Sequence, residues 1–169
     1  AFATRLVLGV VSSVGALDAL IDRFLNKPSD VRPNVRDALR VSFYEIFYLE
    51  KDLHAAADQG VELVRYVQPK AAGLANAVLR KASRAQKDFP FGDPSKDIRA
   101  YSLLHAFPTW MSELLISDLG AKAAHEFIKA SNNPAPVFVH ASNLRGQEAR
   151  TLKRIKTLDE CASQANVQG

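Results

Sequence analysis

Apolar positions recur at helical spacing through the first 87 residues. Phe2, Leu6, Val10 and Val14 follow one another every four residues. Leu17, Leu20, Ile21, Phe24 and Leu25 then repeat the i, i+3, i+4, i+7, i+8 pattern of an amphipathic helix. Gly15 is the expected punctuation between the two runs. The stretch "NKPSD" (26–30) carries turn chemistry, and Pro33 suits the first position of a helix, where its missing N–H costs nothing. That helix would present Val35, Leu39, Phe43, Ile46 and Phe47 on one side. A further helix is expected from about Leu53 to Val67, and Pro69 opens another through "AAGLANAVLRKASRAQK" (71–87). Strand patterning is poor here, so residues 1–87 are read as one all-α bundle.

The pattern breaks at "KDFPFGDPSKD" (87–97), where two prolines, a glycine and several charges interrupt any period. A boundary is therefore placed there, with residues 88–169 as a second region. "FPTWMSELLISDLG" reads as a helix with Gly120 as its C-terminal stop, and "AKAAHEFIKASN" as another. "PVFVHAS" (136–142) is the one convincing strand, and a last basic helix is expected over roughly 146–165. A lone strand cannot make a sheet. The chain is therefore expected to stop inside a further domain. It also begins without Met in an apolar helical pattern, and further residues are expected upstream.

Charge sharpens this picture. The net charge is +4, and the excess is confined to the first half: 13 Lys/Arg against 9 Asp/Glu through Lys87, then 9 against 9. Between Glu62 and Asp88 stand six bases (Arg65, Lys70, Arg80, Lys81, Arg84 and Lys87) and no acid. A segregated positive field suits a polyanion, unless acids from elsewhere in the fold neutralise it. No run approaches the roughly 18 apolar residues of a membrane span, and no membrane partner is expected. The single cysteine, Cys161, rules out an internal disulfide framework, and no Asn-x-Ser/Thr acceptor occurs, which together favour a cytoplasmic setting.

Catalytic chemistry is hard to find. "GVVSSVG" has neither the spacing nor the preceding strand of a dinucleotide loop. His54, His105, His125 and His140 are scattered, with no metal-ligand spacing. Cys161 stands beside Asp159 and Glu160, which would raise its pKa, and those two adjacent carboxylates would face different sides of a helix. No catalytic residue and no metal ligand is assigned.

The stretch "LHAAADQGVELVRYVQPKAAGLANAVLRKASR" (53–84) closely resembles the signature region of the NusB-like RNA-binding domain. That fold is shared by the antitermination factor NusB and the N-terminal region of the RsmB/Sun family of small-subunit rRNA cytosine-C5 methyltransferases. The His-Ala-Ala run, the Val-Glu-Leu-Val-Arg helix and the Gly-Leu-x-Asn-Ala-Val-Leu-Arg helix occur in that order. "FPTWMSELL" and "SNNPAPVFVHASN" look like segments by which the methyltransferase family continues past the bundle. Two departures stand out. Asp58-Gln59-Gly60 replaces the more usual Asn-Glu-Ala, which bears on a polar contact of that helix, and Ala75 replaces a larger apolar residue, which should loosen the packing.

The resemblance implies a NusB-like helical bundle, then a short helical linker region and one strand of a following domain. It implies an RNA partner, small-subunit rRNA in the methyltransferase reading, with a ribosomal or antitermination protein as a further partner. S-adenosylmethionine would belong to the family's catalytic domain, whose Pro-Cys motif this chain lacks, so no cofactor is expected on these residues. The alternatives are a stand-alone antitermination factor and a helical protein-interaction domain. In the RNA reading Leu74, Val78 and Leu79 pack inward, while Lys70, Arg80, Lys81, Arg84 and Lys87 meet phosphates. Arg32, Arg36 and Arg40 form a second stripe at four-residue spacing. Against this, Arg36 and Arg40 could pair with Asp37 or Glu45, and Asn76 could be a buried hydrogen-bonder or an RNA contact.

Overall fold

A computed structural model describes residues 2–49 and 52–133 of the chain. Among them are eight α-helices: α1 (Phe2–Ser12), α2 (Val14–Phe24), α3 (Pro33–Tyr48), α4 (Leu53–Val67), α5 (Ala72–Ala85), α6 (Ile98–Leu104), α7 (Thr109–Leu119) and α8 (Ala121–Ser131). The strand expected at 136–142 and the basic helix expected near 146–165 lie outside the described residues.

Local chemistry accounts for most of the boundaries. Pro33 opens α3, and the Asp52 side chain caps α4 by accepting from the Ala55 N–H at 2.8 Å. Gly120, at φ 78°, stops α7 in a conformation that favours glycine. The expected break at Gly15 falls instead at Ser13, where α1 and α2 bend by 77°. Gly15 lies inside α2. No single helix among the described residues is long and apolar enough to cross a membrane; only the bent α1–α2 pair passes by length and composition.

The core lies among α2, α3, α4 and α5. Leu17, Leu20 and Ile21 meet Leu39, Phe43 and Ile46, with Val64 and Leu79 closing the far side. All are essentially removed from water. At about 1.5–3 kcal/mol for each such side chain, this burial is the main force holding the bundle together.

Helices α3, α4 and α5 come unusually close at Gly60. A Cβ there would stand 2.5 Å from Ser42 Oγ, 2.8 Å from Ser42 Cβ and 2.7 Å from Leu79 Cδ1. Ser42 is itself fully buried and donates its hydroxyl to the Ala38 carbonyl at 2.9 Å. Ala75, on the inner face of α5, is also wholly buried. The small residues at 60 and 75 thus sit on faces turned into the bundle, and Gly60 permits close approach.

The segment at 87–97, a composition break in the sequence, packs against the core through two phenylalanines. Phe89 and Phe91 turn back into an aromatic cluster with Phe24, Phe43 and Phe47, with ring centroids 5.2–6.4 Å apart. The Arg23 guanidinium lies over the Phe91 ring at 4.4 Å. Tyr48, whose hydroxyl burial holds in its protonated form, donates to the Leu103 carbonyl at 2.6 Å. The helix α6 that carries Leu103 was not evident in the sequence. Asp97 caps it, but its seven residues are too few to show a period. Helices α7 and α8 leave Trp110, Leu114, Leu119 and Phe127 at least half exposed.

The close approach makes opposite predictions for two glycines. Gly60→Ala should cost about 1–3 kcal/mol through overpacking, despite a helix-propensity gain of up to about 1 kcal/mol. Gly73→Ala in α5, where a Cβ meets nothing within 4 Å, should instead be neutral or stabilising by up to about 1 kcal/mol. Urea denaturation midpoints of the two variants check this. Equal shifts of the same sign would contradict the packing described.

Candidate nucleic-acid interface

Helix α5 turns Ala75, Val78, Leu79 and Ala82 into the bundle. Its outward side therefore carries everything else, including Arg80, Lys81 and Arg84, with exposed Lys87 in the short 3-10 turn that follows. Leu74 does not pack inward as expected. It is 42% exposed, because its position points to one flank of the helix instead of the core.

That flank is a cleft. On one side stand Lys27, Asp30 and Val31 from the turn after α2; on the other are Leu74, Ala77 and Lys81 of α5. The cleft continues past Leu74 to Arg32 and Lys70. Three residues singled out in the sequence, Arg32, Lys70 and Lys81, thus line adjoining clefts from three separate segments. Lys27 joins them and was missed, since nothing in its local sequence shows that the turn lies against α5. Asp30 lines the same cleft and forms no ion pair among the described residues.

The opposite flank faces α4. There Arg80 and Arg84 line a depression with Leu53, His54, Ala57, Asp58 and Ser83. It adjoins a wider groove containing Gln59, Glu62, Arg65, Gly73 and Asn76. Asn76 is exposed and accepts from the Arg80 Nε–H at 2.9 Å, so of its two readings the buried one does not apply. Arg65 is paired with Glu62.

Among the described residues, Arg32, Lys70, Arg80, Lys81, Arg84 and Lys87 form no ion pair. All six are exposed. They spread over both flanks of α5 and its ends, an arrangement able to follow a phosphate backbone but not to form one tight pocket.

Arg36 and Arg40 are placed differently. Arg40 grips Asp18 of α2 side-on, with Nε 2.9 Å from Oδ1 and Nη2 2.8 Å from Oδ2. Its Nη1 also meets Asp37 at 2.6 Å. Arg36 bridges Asp18 at 3.1 Å and Asp22 at 2.6 Å, and reaches the Pro28 carbonyl at 3.3 Å. Their four-residue spacing on α3 matches that of Asp18 and Asp22 on α2, so the arginines clamp two helices together. Of the local partners considered from sequence, Asp37 takes part for Arg40, but the principal partners lie across the helix pair.

No group of three or more His, Cys, Asp or Glu among the described residues is placed to hold a metal ion.

Residues 1–84, the helices that build this surface, match the model of the NusB family. They form a NusB-family domain. Its likeness to known proteins extends beyond that match. "Probable ribosomal RNA small subunit methyltransferase B" of Bacillus subtilis (strain 168) is 29% identical over 155 residues, covering 90% of this chain and 34% of the relative. Ribosomal RNA small subunit methyltransferase B of Thermus thermophilus is 34% identical over 142 residues, covering 83% of this chain and 31% of the relative. The chain thus spans about a third of the length of these relatives. No solved structure is a significant match.

The ion-pair clamp has a pH signature. Burial raises the Asp18 carboxyl, but hydrogen bonds from Arg40 and Arg36, and then their charges, outweigh it and hold the group below its ordinary value. A native carboxyl depressed below its unfolded value, near 3.9, contributes fully above about pH 5 and loses that contribution as pH falls through the folded value. Asp18→Asn should therefore cost about 1–2 kcal/mol at pH 7, a modest figure because the side chain keeps 30% exposure. Thermal unfolding of parent and variant should converge as pH falls through and below the folded Asp18 value. A gap that stays constant with pH would show that the clamp is not electrostatic.

Proposed function

We propose that this NusB-family domain is an RNA-binding module, that it docks a small-subunit rRNA cytosine-C5 methyltransferase on its substrate, and that its own residues are catalytically inert. The observation that carries this reading is the set of six exposed bases around α5, free of carboxylate partners among the described residues. A solvated charged face would gain from local acids, and the bundle does supply them where bases serve structure, as at Arg36 and Arg40. Leaving the α5 bases unpaired suits an external polyanion.

The likeness to methyltransferase relatives runs past the NusB match and through α6–α8, which favours the methyltransferase setting over a stand-alone antitermination factor. In that setting S-adenosylmethionine is bound outside these residues, and the protein works in the cytoplasm, where rRNA is made. The module supplies affinity and orientation; phosphate contacts of this kind carry little sequence information.

Replacing Arg80, Lys81 and Arg84 together by Gln should weaken binding to structured rRNA fragments by a similar factor across sequences. The salt slope should fall by about one unit for each lost contact. Helicity should persist, since Gln is nearly as good a helix former as Arg or Lys. Replacing Lys122 and Lys129 of α8 should do little. Fluorescence anisotropy across a salt series makes the comparison, and unchanged affinity in the α5 variant would replace this reading with the interaction-domain one.

A further inference from the structure

On the α2 flank of α5, bases stand at the two ends and apolar residues in the middle. Lys70, Leu74, Ala77 and Lys81 follow at i, i+4, i+7 and i+11, one stripe of the helix and the turn before it. We propose that the cleft beside this stripe is a docking groove for an amphipathic helix of a partner protein. That helix carries acidic residues at its two ends and aliphatic residues between them. Its competition with RNA rests on the RNA-binding reading; the groove itself does not.

Two adjoining clefts make up the groove. Lys27 and Lys81 line one, Arg32 and Lys70 line the other, and Asp30, Val31 and Leu74 line both. The shared middle is therefore flanked by a pair of cations on each side. One of each pair comes from α5 or the turn before it, and the other from the segment between α2 and α3. Along the helix axis Lys70 and Lys81 lie about 16 Å apart, roughly three turns. All four bases are exposed and form no ion pair among the described residues. Between them Leu74 keeps 42% of its surface exposed, beside half-buried Val31.

The middle of the groove decides between a polyanion and a peptide. A nucleic-acid strand carries a charge at every nucleotide and would set phosphates against the Asp30 carboxylate and the Leu74 side chain. A helix with Glu or Asp at both ends puts charge only where the cations stand, and its Leu or Ile residues meet Leu74. The floor offers a base no free aromatic face. Phe24, which lines it, is already packed on Phe43, Phe47 and Phe91. Volumes of about 380 and 240 Å³ suit inserted side chains. Lys70 and Lys81 also belong to the bases read as RNA contacts, so the docked helix and RNA compete. A partner protein could in this way release the domain from RNA.

The test uses the full chain and a fluorescent helical peptide of about 14 residues, roughly four turns, with glutamates at both ends and leucines at i, i+3 and i+4 between. Its control has the same composition rearranged so that the glutamates fall in the middle. Anisotropy should show the patterned peptide binding about ten-fold tighter or more. Leu74→Lys should remove that difference and leave binding of an rRNA hairpin as strong as before or stronger. Lys27→Glu with Lys81→Glu should abolish peptide binding, and a peptide with lysines at one end should restore it, which a misfolded variant could not do. Equal affinity for the two peptides, or a preference that survives Leu74→Lys, overturns the groove while RNA binding stands. Loss of hairpin binding in Leu74→Lys would show RNA in the apolar middle and overturn the peptide as its occupant. A patterned peptide that binds without displacing the hairpin overturns the competition. A chain that binds this peptide and no RNA overturns the RNA reading and leaves the groove.

Discussion

Everything on the outer side of α5 depends on how closely its inner side approaches α3 and α4. Gly60 allows Leu79 to lie where a Cβ would be, and the buried Ser42 fills the space on the third helix. At that distance α5 seals its part of the core with two alanines, a valine and a leucine. No cation is needed inward, and none is drawn toward the core. The remaining residues of the helix are free to serve solvent or a ligand, which is why Arg80, Lys81 and Arg84 are exposed along a rigid element.

The basic residues divide into two kinds by their distance from acids. Arg36 and Arg40 sit on a helix that packs against α2, and α2 presents Asp18 and Asp22 at the same four-residue spacing. Partly removed from water, these charges are more stable paired, so they join helices. The bases around α5 form no ion pair among the described residues, although Asp58 and Asp30 line the same clefts. Arginines at identical spacing can thus have opposite roles, and the facing helix decides which.

That division explains how far the sequence could be read. Helices with long periodic faces, such as α3 with Val35, Leu39, Phe43 and Ile46, were legible in their start and inward face, helped by Pro33. The same was true of α4 and of the stop at Gly120. Helix α6 was not, because seven residues carry no period. In the turn-rich segment at 87–97, prolines and charges hide two inward phenylalanines. The basic stretch of α5 was visible, but its neighbours were not. Lys27 and Gln59 come from other segments, and Leu74 faces a cleft that only the packed turn after α2 creates. Local sequence reports faces of a helix; it does not report what stands opposite them.

The central claim is that RNA meets this domain at α5 and its two flanks. Backbone amide shifts of the labelled chain during titration with an rRNA hairpin test it most directly. The account predicts that the perturbed residues cluster on Lys70, Asn76, Arg80, Lys81 and Arg84, with Lys27 and Gln59 from the flanks, and spare the Arg36–Arg40 clamp. Perturbations confined to α7 and α8, around Trp110 and Phe127, would contradict it.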